Sequence, residues 1–474
     1  MENKTVLLTF FCITMNLLTG CSNGSTPEPY GPVPSSAQLE WQKMEYYMFI
    51  HFGPNTFTDR EWGTGGEDPG IFNPTALDCR QWASTAREAG MKGIIVTAKH
   101  HDGFCLWPSQ FSRHTVRESP WKEGTGDVLA ELARACREYD LKFGVYLSPW
   151  DRNHPAYGTA QYNEVFAGAL AEVLSSYGPV FEQWFDGACG DDMDAPYDWE
   201  LFHRTVSRHQ PDAVIFSDIG PGCRWVGNER GMAGETNWSR MDTVGYTPGK
   251  HAPALEILNS GNFNGKLWIP AEADVSLRPG WFYSPSTDNS LKTIDELMEI
   301  YLGSVGRNAN LLLNVPPDRS GRIPAGDSLR LMEFKSRRME LFSRNIAEYA
   351  RTEASSVRAG KFRRFGPGNI TDKSYDTYWT PEKEKSAAAF TITLAREETF
   401  SRILLQEYIP SGQRVARFIV ECINPSDGLW QTIAQGTTIG YKRILTFSPV
   451  TSSVIRVSIL EAGAPPLINC VELY

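Results

Sequence analysis

The sequence has no excess of positive charge, and this excludes the usual kind of nucleic-acid-binding protein. Its 474 residues include 46 Lys and Arg against 56 Asp and Glu, which gives a net charge of −10. A nucleic-acid-binding surface needs clustered basic residues to replace the counterions of the phosphates. Paired cysteines are also missing. The nine cysteines include no CxxC pair, so neither a zinc cluster nor a disulfide framework is indicated.

No hydrophobic run near the N-terminus is long enough to span a membrane. The apolar residues 6–18 fall short of the ~20 residues that a spanning helix needs. Lys4 precedes this run and Leu18-Thr19-Gly20-Cys21 ends it, which resembles a bacterial lipobox. We predict a lipoprotein signal peptide at residues 1–20, lipidation of Cys21 and a polar tether at residues 21–38. An ordinary secretory signal is the alternative. The predicted lipoprotein would be exported and attached to a membrane only through its lipid. It would face either the periplasm or the cell exterior.

Aromatic residues, by contrast, are plentiful. The chain contains 14 Trp, 18 Tyr and 24 Phe, and these make up 12% of its residues. In an acidic chain this content favours surfaces that stack on sugars, although a large core gives the same composition. The length and the 41% hydrophobic content predict either two or three domains or one large barrel with an added module.

Residues 39–350 are predicted to form an α/β fold, a (β/α)8-like barrel. Short apolar runs alternate with helical patterns such as residues 79–89, 128–139 and 162–176, which is typical of a parallel sheet. A doubly wound sheet is the alternative. The predicted strands are residues 46–52, 93–99, 142–148, 181–186, 213–217, 266–270 and 310–314, with an eighth near residues 232–236.

Polar residues at the ends of these strands favour the barrel. His51 ends the first strand, His100 and His101 end the second, Tyr146 lies in the third and Asp186 ends the fourth. Active sites of barrels form at the carboxyl ends of the strands, so these side chains are expected at one mouth.

Residues 351–474 are predicted to form a separate, small antiparallel β-sandwich. Alternating apolar runs at residues 390–394, 402–406, 417–420, 444–447 and 454–459 are separated by turn-rich segments. The strings at residues 375–379, 430–431, 440–443 and 468–474 resemble the discoidin-like, galactose-binding-like modules. The residues leave open whether this module binds sugar.

Two carboxylates are candidates for catalysis. Asp186 follows an aromatic strand and precedes Gly187, which places it at the barrel mouth; a helix N-cap is the alternative. Glu229 and Glu235 follow in the loop beyond the fifth strand, and either can face Asp186. Two carboxyl groups close together suit a retaining glycosidase.

The neighbouring His100 and His101 suit binding of different hydroxyls of one polar ligand. A structural histidine pair and a metal site are the alternatives. Because HxH and HxxxH spacings are absent, we expect no metal and no cofactor.

Together these strings resemble glycoside hydrolase family 29, the retaining α-L-fucosidases. The likeness rests on FIHFG at residues 49–53, EWG at 61–63, KHHDGF at 99–104, WFDG at 184–187 and LLNVPP at 312–317. It implies exo action on terminal fucose of an oligosaccharide substrate, with Asp186 as the nucleophile. The resemblance also implies fucose-binding roles for His51, Trp62, His100, His101, Tyr146, Trp184 and Arg224.

The resemblance extends to the acid/base and the linkage. RWVGNE at residues 224–229 and DVSLRPGWFY at 274–283 resemble the subfamily that prefers α-1,3/1,4-linked fucose in branched, Lewis-type glycans. It implies Glu229 as the acid/base, with Glu235 as the competitor. A fucosidase of broad specificity that also cleaves α-1,2 linkages, an inverting hydrolase and a non-catalytic glycan-binding lipoprotein are the alternative functions.

Overall fold

The computed structural model describes residues 26–188 and 195–474. The predicted signal peptide at residues 1–20 and the predicted lipidation site Cys21 lie outside the described residues. Within these residues, no helix combines the length and the apolar character that a membrane crossing requires.

The secondary structure changes from mixed to almost purely β near residue 350. The helices of the described residues are α1 (Ser36–Gln42), α2 (Pro54–Thr58), α3 (Cys79–Glu88), α4 (Val128–Glu138), α5 (Gln161–Ser176), α6 (Trp199–His209), α7 (Leu255–Ser260), α8 (Ile294–Gly303), α9 (Ala325–Leu341) and α10 (Phe362–Phe365). The strands are β1 (Tyr46–Ile50), β2 (Gly93–Lys99), β3 (Lys142–Leu147), β4 (Glu182–Trp184), β5 (Val214–Ser217), β6 (Cys223–Trp225), β7 (Arg240–Met241), β8 (Leu267–Trp268), β9 (Ala271–Ser276), β10 (Ala309–Asn314), β11 (Arg351–Ala354), β12 (Ala388–Glu407), β13 (Val415–Ile423), β14 (Trp430–Gly436), β15 (Arg443–Ala462) and β16 (Ile468–Leu473).

Eight parallel strands close into a barrel in the order β1-β10-β9-β6-β5-β4-β3-β2. Helices on the outside cover its strands, and three of them, α3, α4 and α6, begin after an aspartate N-cap. Asp78 accepts hydrogen bonds from the first turn of α3, and Asp127 accepts one from the backbone of Ala130 in α4. Such N-cap carboxylates satisfy backbone N–H groups that the first turn leaves without a helical partner. The predicted (β/α)8 fold is therefore confirmed.

Two of the eight predicted barrel strands are wrong. Residues 232–236 form a loop, and residues 266–270 contain only β8, which pairs with β7 outside the barrel. The barrel uses β6 and β9 instead. Arg224 in β6 and two carboxylates in β9, Glu272 and Asp274, break the apolar pattern that a buried strand normally shows.

The barrel interior contains a pair of buried carboxyl groups as well as aromatic rings. Glu272 accepts hydrogen bonds from the indole of Trp184 at 2.8 Å and from the hydroxyl of Tyr47. Glu182 accepts one from the indole of Trp41 at 2.7 Å. Burial raises the pKa of Glu182 well above its usual range, and the charge of the neighbouring Glu272 raises it further. This shift favours the protonated form of Glu182.

The C-terminal domain is an antiparallel sheet in the order β11-β12-β15-β13-β14, with β16 paired to β12. The long strands β12 and β15 change register between Thr393 and Glu398 and again between Phe400 and Arg402. Such bulges bend a strand and increase its twist. The apolar face forms a core separate from the main core of the barrel, with Trp379, Phe390, Phe418, Val457 and Ile468 among its buried members.

Polar contacts join the barrel to the C-terminal domain. Arg443 donates to the backbone carbonyl of Glu235 at 2.8 Å, and the side-chain oxygen of Asn308 accepts from the backbone N–H of Tyr441 at 2.7 Å. The apolar side chain of Ile444 also belongs to the core of the barrel. The two domains therefore share a continuous interface.

The predicted tether at residues 21–38 is corrected in its described part. The backbone N–H of Tyr30 donates to Ser411 of the C-terminal domain at 3.0 Å, and the guanidinium of Arg240 lies 5.1 Å above the Tyr30 ring. Ser35 caps α1, which begins inside the predicted tether. Residues 30–38 are thus part of the folded protein, because an aromatic ring and a helix cap fix them.

Candidate active site

Asp186 follows β4 at the carboxyl end of the barrel, as predicted. The hydroxyl of Tyr146 donates to Oδ2 of Asp186 at 2.9 Å, and Nε2 of His101 lies 3.6 Å from the same oxygen. Oδ1 accepts a hydrogen bond from the backbone N–H of Ala188 at 2.7 Å. Donors on both oxygens hold the carboxylate in one orientation while its side chain stays partly exposed.

The three predicted histidines lie together beside this carboxylate. The ring centroid of His100 is 5.8 Å from that of His51 and 4.1 Å from that of His101. Burial lowers the pKa of His51 to about 3 and that of His101 to about 4, and it lowers the pKa of His100 well below its usual value. All three imidazoles are therefore neutral at physiological pH, and each offers one donor and one acceptor.

Hydrogen bonds to other side chains set which ring nitrogens carry the proton. Nδ1 of His51 donates to Oδ1 of Asn314 at 2.9 Å, which leaves its Nε2 as an acceptor. Nδ1 of His100 accepts from the amide of Asn55 at 3.5 Å, which leaves its Nε2–H as a donor. His51 and His100 therefore offer one acceptor and one donor, and sugar hydroxyls need both.

His101 also connects Asp186 to the loop after β3. Nδ1 of His101 is hydrogen-bonded to Oγ of Ser148 at 2.7 Å. The ring of His101 also lies 4.7 Å from that of Trp150 and 5.9 Å from that of Trp62. Trp62 is 55% exposed, so it forms an open aromatic wall at the rim.

Trp184 lies beside Tyr146 in the neighbouring strand of the barrel. Its ring stacks on Phe216 at 3.9 Å, its indole N–H binds Glu272, and Tyr146 stacks against it at 5.3 Å. Trp184 is buried beneath the mouth. It packs against Tyr146, whose hydroxyl binds Asp186.

Glu229 lies at the same mouth. The indole N–H of Trp281 donates to Oε2 of Glu229 at 3.3 Å. Partial burial raises the pKa of the Glu229 carboxyl, and the charge of Asp186 raises it further. The structure therefore brings the two predicted carboxylates within electrostatic reach of each other.

The other candidate, Glu235, lies elsewhere. Its side chain is 77% exposed and pairs with Arg307 at 3.5 Å, and its backbone carbonyl accepts from Arg443 of the C-terminal domain. These contacts place Glu235 at the interface between the domains. It is not part of the mouth that holds Asp186.

Arg224, predicted to bind substrate, points away from the mouth. It is 0% exposed, and its guanidinium donates to the carbonyl of Leu258 at 2.9 Å, to the carbonyl of Ile269 and to Oδ1 of Asn237 at 2.8 Å. Side chains alternate along β6, so Arg224 faces outward while its neighbours Cys223 and Trp225 face the barrel interior. The structure does not bring Arg224 to the mouth with the other predicted residues.

Residues outside the predicted set complete the site. The ring of Trp281 contacts Glu229 and lies 5.1 Å from the ring of His51. The carboxylate of Glu61 accepts a hydrogen bond from the backbone N–H of Trp281 at 2.7 Å. Glu61 and Trp281 belong to segments that resemble the family, but no pattern in the sequence showed that they contact each other or Glu229. Ser148 follows β3 without a recognisable motif, so only the fold identifies it as a partner of His101.

A group of potential metal ligands occupies the barrel interior. Ligand atoms of Glu182, Cys223 and Glu272 lie within 4.8 Å of one another. The carboxyl oxygens of Glu182 and Glu272 already accept hydrogen bonds from indole and phenol groups of the barrel. These donors would have to move before an ion could bind, so the group fits a hydrogen-bonded core better than a metal centre.

Two carboxylates with neutral histidines and aromatic walls at the mouth of a (β/α)8 barrel define a glycoside hydrolase. Residues 33–336 match the family described as Alpha-L-fucosidase, and residues 351–473 match the F5/8 type C domain, a discoidin-like module. Alpha-L-fucosidase 1 of Arabidopsis thaliana is 42% identical over 480 residues, which covers 100% of this chain and 94% of that protein.

Solved structures agree with the sequence comparisons. A Ruminococcus gnavus family 29 fucosidase in complex with fucose superposes with a TM-score of 0.86 at 33% identity, covering 95% of this chain and 96% of that one. The chain belongs to the alpha-L-fucosidase family, glycoside hydrolase family 29. It is a glycoside hydrolase with a C-terminal F5/8 type C domain.

Proposed function

We propose that the protein is a retaining exo-α-L-fucosidase in which Asp186 is the nucleophile and Glu229 the general acid/base. The observation that carries this proposal is the meeting of these two carboxylates at one mouth, with the pKa of Glu229 raised partly by Asp186. A general acid that must hold its proton near neutral pH needs such a raised pKa.

The reaction proceeds in two steps that balance atoms and charge. Asp186 attacks the anomeric carbon of fucose and forms an ester with it, while Glu229 gives its proton to the departing glycosidic oxygen. Glu229, now a carboxylate, then removes a proton from water as the water attacks the same carbon and releases Asp186. Two inversions restore the original anomeric configuration.

The fucose pocket proposed here uses His51, His100 and His101 for the ring hydroxyls. Their neutral rings present fixed donors and acceptors, which suits hydroxyl groups because each hydroxyl both donates and accepts. Trp62 and Trp281 supply aromatic walls for the C5 methyl group and the apolar face of the sugar. Trp184 acts through its packing against Tyr146.

The anomeric signal of the product tests the mechanism. Proton NMR during hydrolysis of an aryl α-L-fucoside should first show α-fucose, which then mutarotates. Asp186→Ala should lose several orders of magnitude in rate, because no covalent ester can form. Added azide should partly restore turnover and yield β-fucosyl azide. Initial release of β-fucose, or full activity of Asp186→Ala, would overturn the assignment.

We propose further that the natural substrates carry fucose in α-1,3 or α-1,4 linkage on branched, Lewis-type glycans. The support is the resemblance of residues 224–229 and 274–283 to the subfamily with that preference. Binding of the neighbouring galactose branch would position the scissile bond. A Lewis trisaccharide should be cleaved at least about tenfold faster than an α-1,2-linked fucosyl disaccharide. Equal rates would favour a fucosidase of broad specificity instead.

We also propose that the enzyme is exported and anchored through lipid on Cys21. The lipobox-like sequence that ends in this residue supports the proposal. Metabolic labelling with a fatty-acid probe should mark the wild type and not Cys21→Ala. An unlabelled wild type would show that residues 1–20 are an ordinary secretory signal.

A further inference from the structure

Two adjoining cavities lie where the barrel meets the C-terminal domain. One has a volume of about 330 Å³ and the other about 420 Å³, and Tyr375 lines both. Residues before β1 and β2, including Glu45 and Lys92, form part of the larger cavity. This is the end of the barrel opposite Asp186, because catalytic groups follow the carboxyl ends of the strands. We call the two cavities together the junction cleft.

Aromatic rings border the junction cleft. Tyr375 is 54% exposed although it belongs to a folded domain, and it lines both cavities. The partly buried rings of Phe342 and Tyr474 meet edge to face at 5.1 Å along the smaller cavity. An exposed tyrosine between polar hollows suits a pyranose ring, whose apolar face stacks on the aromatic ring while its hydroxyls reach polar groups.

Each cavity is lined by a buried polar side chain with an unsatisfied atom. Asn469 is 6% exposed, and its amide donates to the carbonyl of Tyr375 at 3.4 Å, yet its Oδ1 has no partner among the described residues. Tyr46 is 2% exposed, and its hydroxyl likewise lacks a partner within the described part of the chain. Both atoms are enclosed by the protein itself, so they add polar groups to the walls of the cleft without contacting its contents directly.

Charge distinguishes the larger cavity from the rest of this acidic chain. Four cationic side chains and a single carboxylate line it, whereas the whole protein has a net charge of −10. Glu45 is paired with Lys442. Lys92 has no acidic partner among residues 26–188 and 195–474, and the guanidinium of Arg338 is held over the Tyr46 ring at 4.6 Å. The local field therefore favours an anion.

From this arrangement we propose that the junction cleft is a second glycan-binding site, specific for oligosaccharides that carry a carboxylated sugar. A neutral sugar stacks on Tyr375, and the neighbouring acidic sugar occupies the larger cavity beside Lys92. The site lies on the far side of the barrel from Asp186 and needs no fucose. It would hold the enzyme on acidic glycans while the active site removes fucose elsewhere.

Titration calorimetry with fucose-free sugars tests this site independently of the fucosidase reaction. Sialyllactose supplies the carboxylated sugar, and lactose is its neutral counterpart. Sialyllactose should bind at least about tenfold more tightly than lactose. Added salt should weaken the binding of sialyllactose, because the attraction is partly electrostatic. Hydrolysis of an aryl fucoside, measured in parallel, reports on the proposed active site alone.

Two exposed side chains provide the decisive variants. Tyr375→Ala and Lys92→Ala should each weaken sialyllactose binding by about tenfold or more, with unchanged aryl fucoside hydrolysis and unchanged Tm. Phe362→Ala and Lys383→Ala, at exposed positions of the C-terminal domain, are the matched controls and should bind normally. Similar affinities for the two sugars, no binding at about 10 mM, or normal binding by Tyr375→Ala would overturn the proposal.

Discussion

The indole N–H of Trp281 donates a hydrogen bond to Oε2 of Glu229 at 3.3 Å. The same indole lies 5.1 Å from the ring of His51, so one side chain contacts both the proposed acid/base and a proposed fucose ligand. Burial and the charge of Asp186 raise the pKa of Glu229, whereas this hydrogen bond stabilises the carboxylate and opposes the rise. Trp281 therefore affects the pKa of the proposed acid/base and also lines the proposed fucose pocket.

Trp281→Phe should move the alkaline limb of the pH profile of kcat/KM to higher pH. Phenylalanine keeps an aromatic ring beside His51 but removes the N–H that stabilises charged Glu229, so the pKa of Glu229 rises further. Because Glu229 must be protonated to act as the acid, the enzyme should stay active to a higher pH. The measurement is the pH dependence of kcat/KM on a fucoside with a poor leaving group.

A second tryptophan provides the control for this shift. Trp430→Phe, in the C-terminal domain, makes the same substitution and should leave the profile unchanged. An alkaline limb that stays in place or moves to lower pH in Trp281→Phe would show that the indole does not tune Glu229.

Tyr146→Phe should lower kcat by about 10²-fold and change KM little. The substitution removes the hydroxyl that holds Oδ2 of Asp186 at 2.9 Å, so the nucleophile loses its orientation toward the anomeric carbon. The ring remains and continues to stack on Trp184. Steady-state kinetics on an aryl fucoside measure both constants. Tyr349→Phe, at an exposed tyrosine, is the control; an unchanged kcat in Tyr146→Phe would contradict this role.

The site residues at the strand ends were predictable from the sequence. The apolar runs show where each strand ends, and active sites of barrels form at those ends. Residues 46–52 and 93–99 are apolar runs that end in histidines, and the fold does place His51, His100 and His101 together at one mouth. Asp186 was predictable for the same reason, because it ends the fourth predicted strand. The alternation of strands and helices then fixes the barrel, since a parallel sheet needs crossover helices.

Contacts that depend on side-chain direction were not predictable. A one-residue change of register reverses the face of a strand, and β6 has only three residues, so no periodicity showed that Arg224 faces outward. β9 was hidden because its buried Glu272 and Asp274 look like surface residues, although the barrel satisfies them with indole N–H groups. Trp281 lies on a loop, where the sequence carries no periodic signal.

Arg224→Met should destabilise the protein without altering substrate affinity. The guanidinium is 0% exposed and serves two backbone carbonyls and Asn237, so its loss leaves three buried acceptors without a donor. We expect a loss of about 2–5 kcal/mol, seen as a lower Tm in calorimetry, with KM for an aryl fucoside unchanged in the folded enzyme. Arg208→Met, at an exposed position on α6 outside the barrel, should change neither quantity. A raised KM at normal Tm would restore Arg224 to the fucose pocket.

The final prediction compares Glu229→Ala with Glu235→Ala on two leaving groups. A general acid matters most when the leaving group is poor, because an activated aryl group departs without a proton. Glu229→Ala should therefore lose far more activity on a Lewis trisaccharide than on a low-pKa aryl fucoside. Glu235 is 77% exposed and pairs with Arg307 at the domain interface, so Glu235→Ala should leave both rates close to those of the wild type. Rates of single-turnover hydrolysis on both substrates measure the effect. If the dependence on the leaving group appeared in Glu235→Ala and not in Glu229→Ala, the proton donor would lie six residues further along the chain, and its loop would have to move away from Arg307 during catalysis.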